Sequence, residues 1–241
     1  MRSHQWLAKV AAAMAVVALF ATSAVAELVS LGAANNSTVQ PSGPRNGYEY
    51  YFNMEGSSNG SYSSFGIIDF DFSSVSLSET ASDVTGATLS LTQANAGFST
   101  SGPVSVYLTD ETSLSPQSTS LRYVSGQNGA SCVDADLLPI TLVGSGTYVK
   151  GSSGDVDDFS LSFTGSALTT LLDAVNTGST MRLVVTPDSS STAATYAGYS
   201  SFSYDGPTIS FDTVSAPVPE PASVMLVALG AIALLVGRRA S

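Results

Sequence analysis

Carboxylates and tyrosines are the side chains of this chain that could do chemistry. Asp155, Asp157 and Asp158 crowd a Gly/Ser-rich stretch, where carboxylates can converge on a cation. Hard oxygen ligands of that kind suit Ca²⁺. The stretch lacks the glycine and terminal glutamate of an EF-hand loop at their spacing. Asp69 and Asp71 alternate along one apparent strand, and Asp134 with Asp136 make a further pair. Two carboxylates can also serve glycoside hydrolysis, one as acid and one as base or nucleophile, but nothing in the pattern selects two from the set. No catalytic residues are assigned. The ten tyrosines offer a second chemistry. An aromatic ring can stack on a sugar while its hydroxyl stays wet. Tyr51 and Tyr107 fall on outward faces of their strands and are the expected glycan-binding residues, set against ordinary packing of tyrosine in a sheet.

Other chemistry is excluded by composition. His4 is the only histidine and Trp6 the only tryptophan, both near the N-terminus. Ser-His-Asp or Cys-His catalysis and His-based metal sites therefore have no ligands in the body of the chain. Cys132 is the only cysteine, so no intrachain disulfide can form. It reads as a half-buried, inert thiol. Residues 27–216 carry four basic side chains (Arg45, Arg122, Lys150, Arg182) against 18 acidic ones, a net charge of −14. Such a surface repels nucleic acid and anionic lipid. It suits cations, neutral polymers or plain solubility. Sequons at Asn35-Asn36-Ser37-Thr38 and Asn59-Gly60-Ser61 are weak signals in so Ser/Thr-rich a chain.

Strands must position these groups. Tyr48, Tyr50, Phe52 and Met54 alternate with Glu49, Asn53 and Glu55. Ile68, Phe70 and Phe72 point inward, with Asp69 and Asp71 expected outward. Ala87/Leu89/Leu91, Val104/Val106/Leu108, Phe159/Leu161/Phe163, Leu183/Val185 and Ile209/Phe211 repeat the period of two. Weaker strands are read over 137–143 and 195–202. One helix breaks the series, with Leu168, Leu171, Leu172 and Val175 on its apolar face. Ser166 is its expected N-cap and Gly178 its stop. The expected fold is all-β, an antiparallel β-sandwich or jelly roll with one short helix.

Both ends read as targeting segments. Arg2 and Lys9 precede an apolar run from Val10 to Phe20, and Ala24-Val25-Ala26 has the small-x-small form of a signal-peptidase site. The expected domains are a signal peptide over 1–26, a β-sandwich ectodomain over 27–216 and a sorting segment over 217–241. In that last segment Pro219-Glu220-Pro221 leads a short apolar run that ends before Arg238-Arg239. The order resembles the PEP-CTERM sorting signal of Gram-negative bacteria. The resemblance implies export, a transmembrane stay in the inner membrane, and processing by an exosortase-type enzyme. It also implies delivery to the cell surface or extracellular matrix. Pro219, Glu220, Pro221, Arg238 and Arg239 would carry the signal.

The body resembles the DNRLRE-type β-sandwich, a domain related to carbohydrate-binding modules. Ile67-Ile68-Asp69-Phe70-Asp71-Phe72, Gly86-Ala87-Thr88-Leu89-Ser90-Leu91 and Pro207-Thr208-Ile209-Ser210-Phe211 carry the likeness. Asp69 stands where that pattern usually has arginine, and the name-giving stretch is absent. Together the resemblances imply a structural or adhesive protein of the extracellular polysaccharide (biofilm) matrix, with no enzymatic role. Exopolysaccharide is its expected partner, and no cofactor is expected beyond the Ca²⁺ considered above. A carbohydrate-binding module is the alternative, followed by a glycan-active enzyme. Ice binding ranks last, because the outward residues show no regular Thr-x-Thr array.

Overall fold

Alternating apolar residues build most of the strands, and two separate cores explain where the alternation fails. The computed structural model describes residues 26–216, apart from Tyr48 and Asn95. Its elements in order are β1 (Ala26–Gly32), β2 (Asn35–Gln40), β3 (Gly43–Pro44), β4 (Tyr51–Glu55), β5 (Phe65–Asp71), β6 (Ala81–Thr92), β7 (Gly102–Thr109) and β8 (Ile140–Tyr148). There follow β9 (Val156–Ser160), helix α1 (Gly165–Thr177), β10 (Thr180–Pro187), β11 (Ala193–Ala197) and β12 (Thr208–Ser215). One sheet has the order β1-β12-β6-β9 and a second the order β3-β2-β5-β10-β7-β8; β4 and β11 pair alone. Residues Ala26–Val214 form one compact unit. The expected β-sandwich with one short helix is thus the observed architecture. Ala24, the sorting residues Pro219, Glu220, Pro221, Arg238 and Arg239, and the expected terminal helix lie outside the described residues. Ala26 is the exposed first residue of β1. Among the described residues no helix is long and apolar enough to cross a membrane.

The main core lies between the two large sheets. Leu89, Leu91, Phe159, Ile209 and Phe211 of one sheet meet Ile68, Phe70, Val106 and Leu183 of the other. This is the expected register. The second core was not legible in the alternation. Val39, Phe65, Ile67 and Val184, on the opposite face of the six-stranded sheet, pack under Leu121, Tyr123, Cys132, Val133 and Leu137. Those covering residues belong to the long connection between β7 and β8. The sheet is therefore buried on both faces, which is why Ile67 and Ile68 are adjacent and both fully buried.

That cover overturns the expectation for Asp69. Its side chain points away from the main core, as read, but into the second covered face. It is 9% exposed and holds Arg182, itself 1% exposed, across the β5–β10 pair. Arg182 donates Nε–H to Asp69 Oδ1 at 2.7 Å and Nη2–H to Oδ2 at 2.8 Å. Its remaining Nη1 donates to the Glu111 carbonyl at 3.0 Å, at the start of the covering segment. Asp71 is exposed, and its Oδ1 accepts the Ser73 N–H at 2.9 Å to cap a short 3-10 turn.

Two further local readings need correction, and strand β2 escapes the alternation altogether. Helix α1 has Thr164, not Ser166, at its N-cap position, with no capping bond from the side chain, and it buries Ala167, Leu171, Ala174 and Val175, so Leu168 and Leu172 flank the buried face. Gly178 ends it in the left-handed conformation at φ 68°, as expected of a glycine there. Strand β4 starts only at Tyr51, and Asn53, expected outward, is buried and donates Nδ2–H to Glu55 Oε1 at 2.8 Å. Strand β2 is polar yet buried: Thr38 Oγ1 accepts the Asn53 N–H and Asn36 Oδ1 accepts the Tyr199 N–H. The sequon residue Asn36 is fully buried and out of reach of a glycan.

Candidate functional site

The segments around 49–50, 93–94, 149–155 and 198–207 come together beside the starts of β4 and β9 and the end of β11. Backbone hydrogen bonds fasten them. Gly198 N–H donates to the Tyr50 carbonyl and Ser200 N–H to the Glu49 carbonyl, both at 2.8 Å. Gly154 N–H donates to the Gln93 carbonyl at 2.7 Å and Gln93 N–H to the Asp155 carbonyl at 2.8 Å. Gly198 must be glycine, because a Cβ there would lie 2.7 Å from the Glu49 oxygen and the Tyr51 nitrogen.

Beside these segments lies an open groove of 410 Å³ lined by Thr92 of β6, Val156 of β9, Gly154 and the 201–205 stretch with Phe202, Tyr204 and Asp205. Phe202 stands 87% exposed at its edge and stacks on Tyr50, with ring centroids 5.0 Å apart and an interplanar angle of 29°. The stacked pair presents an aromatic surface to solvent beside the groove, Tyr50 being 40% exposed. The groove brings apolar ring faces together with hydroxyls from Thr92, Ser201 and Ser203 and one carboxylate, Asp205. None of the four basic residues of the body lines it.

A partly buried polar network joins strands beside the groove. Asp157 Oδ2 accepts from Tyr196 Oη–H at 2.9 Å and from Gln93 Nε2–H at 3.0 Å. Tyr148 Oη–H donates to Gln93 Oε1 at 3.3 Å, and the Tyr148 and Tyr196 rings meet edge to face at 5.8 Å. Burial holds the Asp157 carboxyl above its ordinary range, against the two hydrogen bonds that lower it; the charges of Asp155 and Asp158 push it further up. Burial first, and then the Asp157 charge, raises Tyr196 as well. The network links β9 to β11 beside the groove.

The expected cation site does not assemble. Asp157 and Asp158 lie in strand β9, not in a loop, and neighbours in a strand point to opposite faces. Asp157 turns to Tyr196, whereas Asp158 Oδ1 accepts from Ser90 Oγ–H at 2.6 Å. Asp155 Oδ2 accepts the Ser152 N–H at 2.7 Å within its own turn. Among the described residues no three acidic or thiol groups are placed to share a metal ion.

The two expected glycan-binding tyrosines are not brought together either. Tyr51 is half-buried with the Arg45 guanidinium 5.5 Å above its ring. Tyr107 does lie on the outer face of β7, but the segment between β7 and β8 covers that face, and the ring packs half-buried on the second core. Neither lines the groove. Sequence reasoning missed Phe202 and Tyr50 as site residues. Tyr199 and Phe202 fall in the weaker strand read over 195–202, but strand β11 ends at Ala197 and the stretch that follows carries these aromatics on a loop. Cys132 is fully buried, beyond the half-buried thiol expected, and its thiol is pushed up to about 12, chiefly by burial.

Fold and groove together define an all-β sandwich with an aromatic-edged, cation-free groove. Residues 217–240 match the model of the PEP-CTERM protein-sorting motif. The motif implies an extracellular protein sorted by an exosortase and held in a membrane before processing. No curated protein matches the chain in sequence. Among solved structures, "Truncated AlyQ with CBM32 and alginate lyase domains" is similar at 12% identity and a TM-score of 0.32. The likeness covers 82% of this chain but only 36% of that one, and it is too slight to argue from.

Proposed function

We propose that this protein is a non-catalytic, adhesive component of the extracellular polysaccharide matrix that holds uncharged glycan at the aromatic groove. The observation that carries the reading is the exposed Tyr50–Phe202 stack at the edge of a hydroxyl-lined groove. Sugar rings present apolar C–H faces to aromatic planes and hydroxyls to polar side chains, and the groove offers both. The sorting motif supports the location, since it implies delivery to the outside of the cell. The net charge of −14 over 27–216 supports an uncharged partner over an anionic one.

Co-sedimentation of the processed protein with insoluble neutral polysaccharide tests this. Wild type should be retained, and Phe202→Ala should lose at least about tenfold in affinity, within the range for removal of an aromatic anchor. Equal retention of wild type and Phe202→Ala would show that the groove is not the contact. A carbohydrate-binding module acting in solution is the same site without a matrix role. It would show saturable binding to soluble oligosaccharide but no accumulation of the native protein in the matrix.

A further inference from the structure

The groove does not end at its aromatic edge. Thr92 and Val156 both line it, and they are register partners on β6 and β9. The next outward pairs along the same two strands are Ser90 with Asp158 and Thr88 with Ser160. Leu89, Leu91 and Phe159, which alternate with them, face the main core, so these pairs stand on the outer face of the four-stranded sheet. Beside β6 in that sheet lies β12, whose outward residues Thr208 and Ser210 continue the hydroxyl surface. No lysine or arginine occurs in β1, β6, β9 or β12.

We infer that this face is a track along which the interior of a linear, uncharged polysaccharide runs after leaving the aromatic groove. The inference rests on the reading of the groove as a glycan site, and it adds extended subsites and recognition of chain interiors. The chemistry of the track selects that occupant. A protein partner would want an apolar centre to bury, and this surface is mostly small hydroxyls. An anionic polymer would meet Asp158 and Asp205 with no cation to offset them. A neutral sugar chain finds the Thr88, Ser160 and Ser210 hydroxyls spaced along the sheet, with Ser90, whose hydroxyl donates to Asp158, offering its oxygen as an acceptor. From Thr92 to Thr88 the strand advances about 13 Å, enough for a few more pyranose rings beyond those in the groove.

Calorimetric titration of the processed protein with neutral β-1,4-linked gluco-, manno- and xylo-oligosaccharides of increasing length tests the track, with alginate oligosaccharides as the anionic control. Affinity should rise at least about tenfold from disaccharide to hexasaccharide. The double variant Thr88→Val with Ser160→Ala removes two hydroxyls without adding bulk. It should weaken the hexasaccharide at least about fivefold, the low end for two hydrogen bonds, and leave the disaccharide unchanged. Phe202→Ala should weaken every length alike. An affinity independent of length, or a double variant that binds hexasaccharide like wild type, overturns the track while leaving the groove intact. Binding of none of the neutral series overturns the glycan reading itself, and tighter binding of alginate overturns both.

Discussion

Breaking the Asp69–Arg182 pair should cost far more than its position on a strand read as solvent-facing would suggest. The pair is bidentate at 2.7 and 2.8 Å, with side chains 9% and 1% exposed, and its third hydrogen bond reaches the backbone of Glu111. Asp69→Asn leaves a buried guanidinium without its counter-charge. Removing one partner of a buried ion pair costs about 3–5 kcal/mol. Arg182→Met should fall in the same range, since it strands the carboxylate and the Glu111 carbonyl together. Replacing both with apolar residues of similar size, Asp69→Leu with Arg182→Met, should recover most of the loss and can even exceed wild type, because the desolvation cost of both charges disappears. Urea unfolding of the 26–216 unit, which contains both cores, reads these values from the midpoint at constant slope. The expected signature is non-additivity: two large single losses and a small double loss. Single losses below about 1 kcal/mol, the range of exposed pairs, would refute the burial of this face and the covering role of the segment between β7 and β8.

Asp157 offers a test at the groove. Its carboxyl is raised in the native state, so between its ordinary value and the raised one the folded form binds more protons. Its contribution to stability therefore falls as pH rises through that window. Asp157→Asn, whose side-chain oxygen can still accept from Tyr196 and Gln93, should flatten that part of the stability–pH profile. Asp157→Ala should cost about 1–3 kcal/mol by leaving two donors without an acceptor; identical profiles for wild type and Asp157→Asn would count against the raised carboxyl. In β5, Phe70→Ala should cost about 3–5 kcal/mol. Asp71→Asn, exposed and still able to cap Ser73, should cost under about 0.5 by chemical denaturation; equal losses would contradict the register. Cys132 should resist a thiol reagent in the native protein and react only on unfolding, because the thiol is buried and its pKa raised. Rapid labelling under native conditions would refute that placement.

Alternation alone carries the main core, because Phe70, Leu89, Val106, Leu183 and Phe211 face a partner sheet and their neighbours do not. It fails wherever a face is covered by something without a period. Asp69 reads as solvent-facing until the segment between β7 and β8 is laid over it, and that segment has no strand pattern to announce its position. Strand β2 is hidden for the converse reason: Asn36, Ser37 and Thr38 are buried polar residues, and by hydrogen bonds Thr38 holds strand β4 at Asn53 and Asn36 holds the loop after β11 at Tyr199. The candidate site is harder still to read, because distant parts of the chain supply it: Thr92 ends β6, Gly154 and Val156 flank the start of β9, and 201–205 follow β11. Tyr50 and Phe202 are separated by the whole sandwich in sequence and meet only because Gly198 and Ser200 bond to the 49–50 backbone. Asp157 and Asp158 look like a loop cluster until β9 sends them to opposite faces.

Chemical-shift mapping of the 26–216 unit with a neutral oligosaccharide tests the central claim most directly. Binding at the groove should move the resonances of Thr92, Val156, Phe202 and Tyr204 and leave Tyr107, packed on the second core, unmoved. Shifts centred on Tyr107 and the segment between β7 and β8, or no shifts at millimolar sugar, would contradict it.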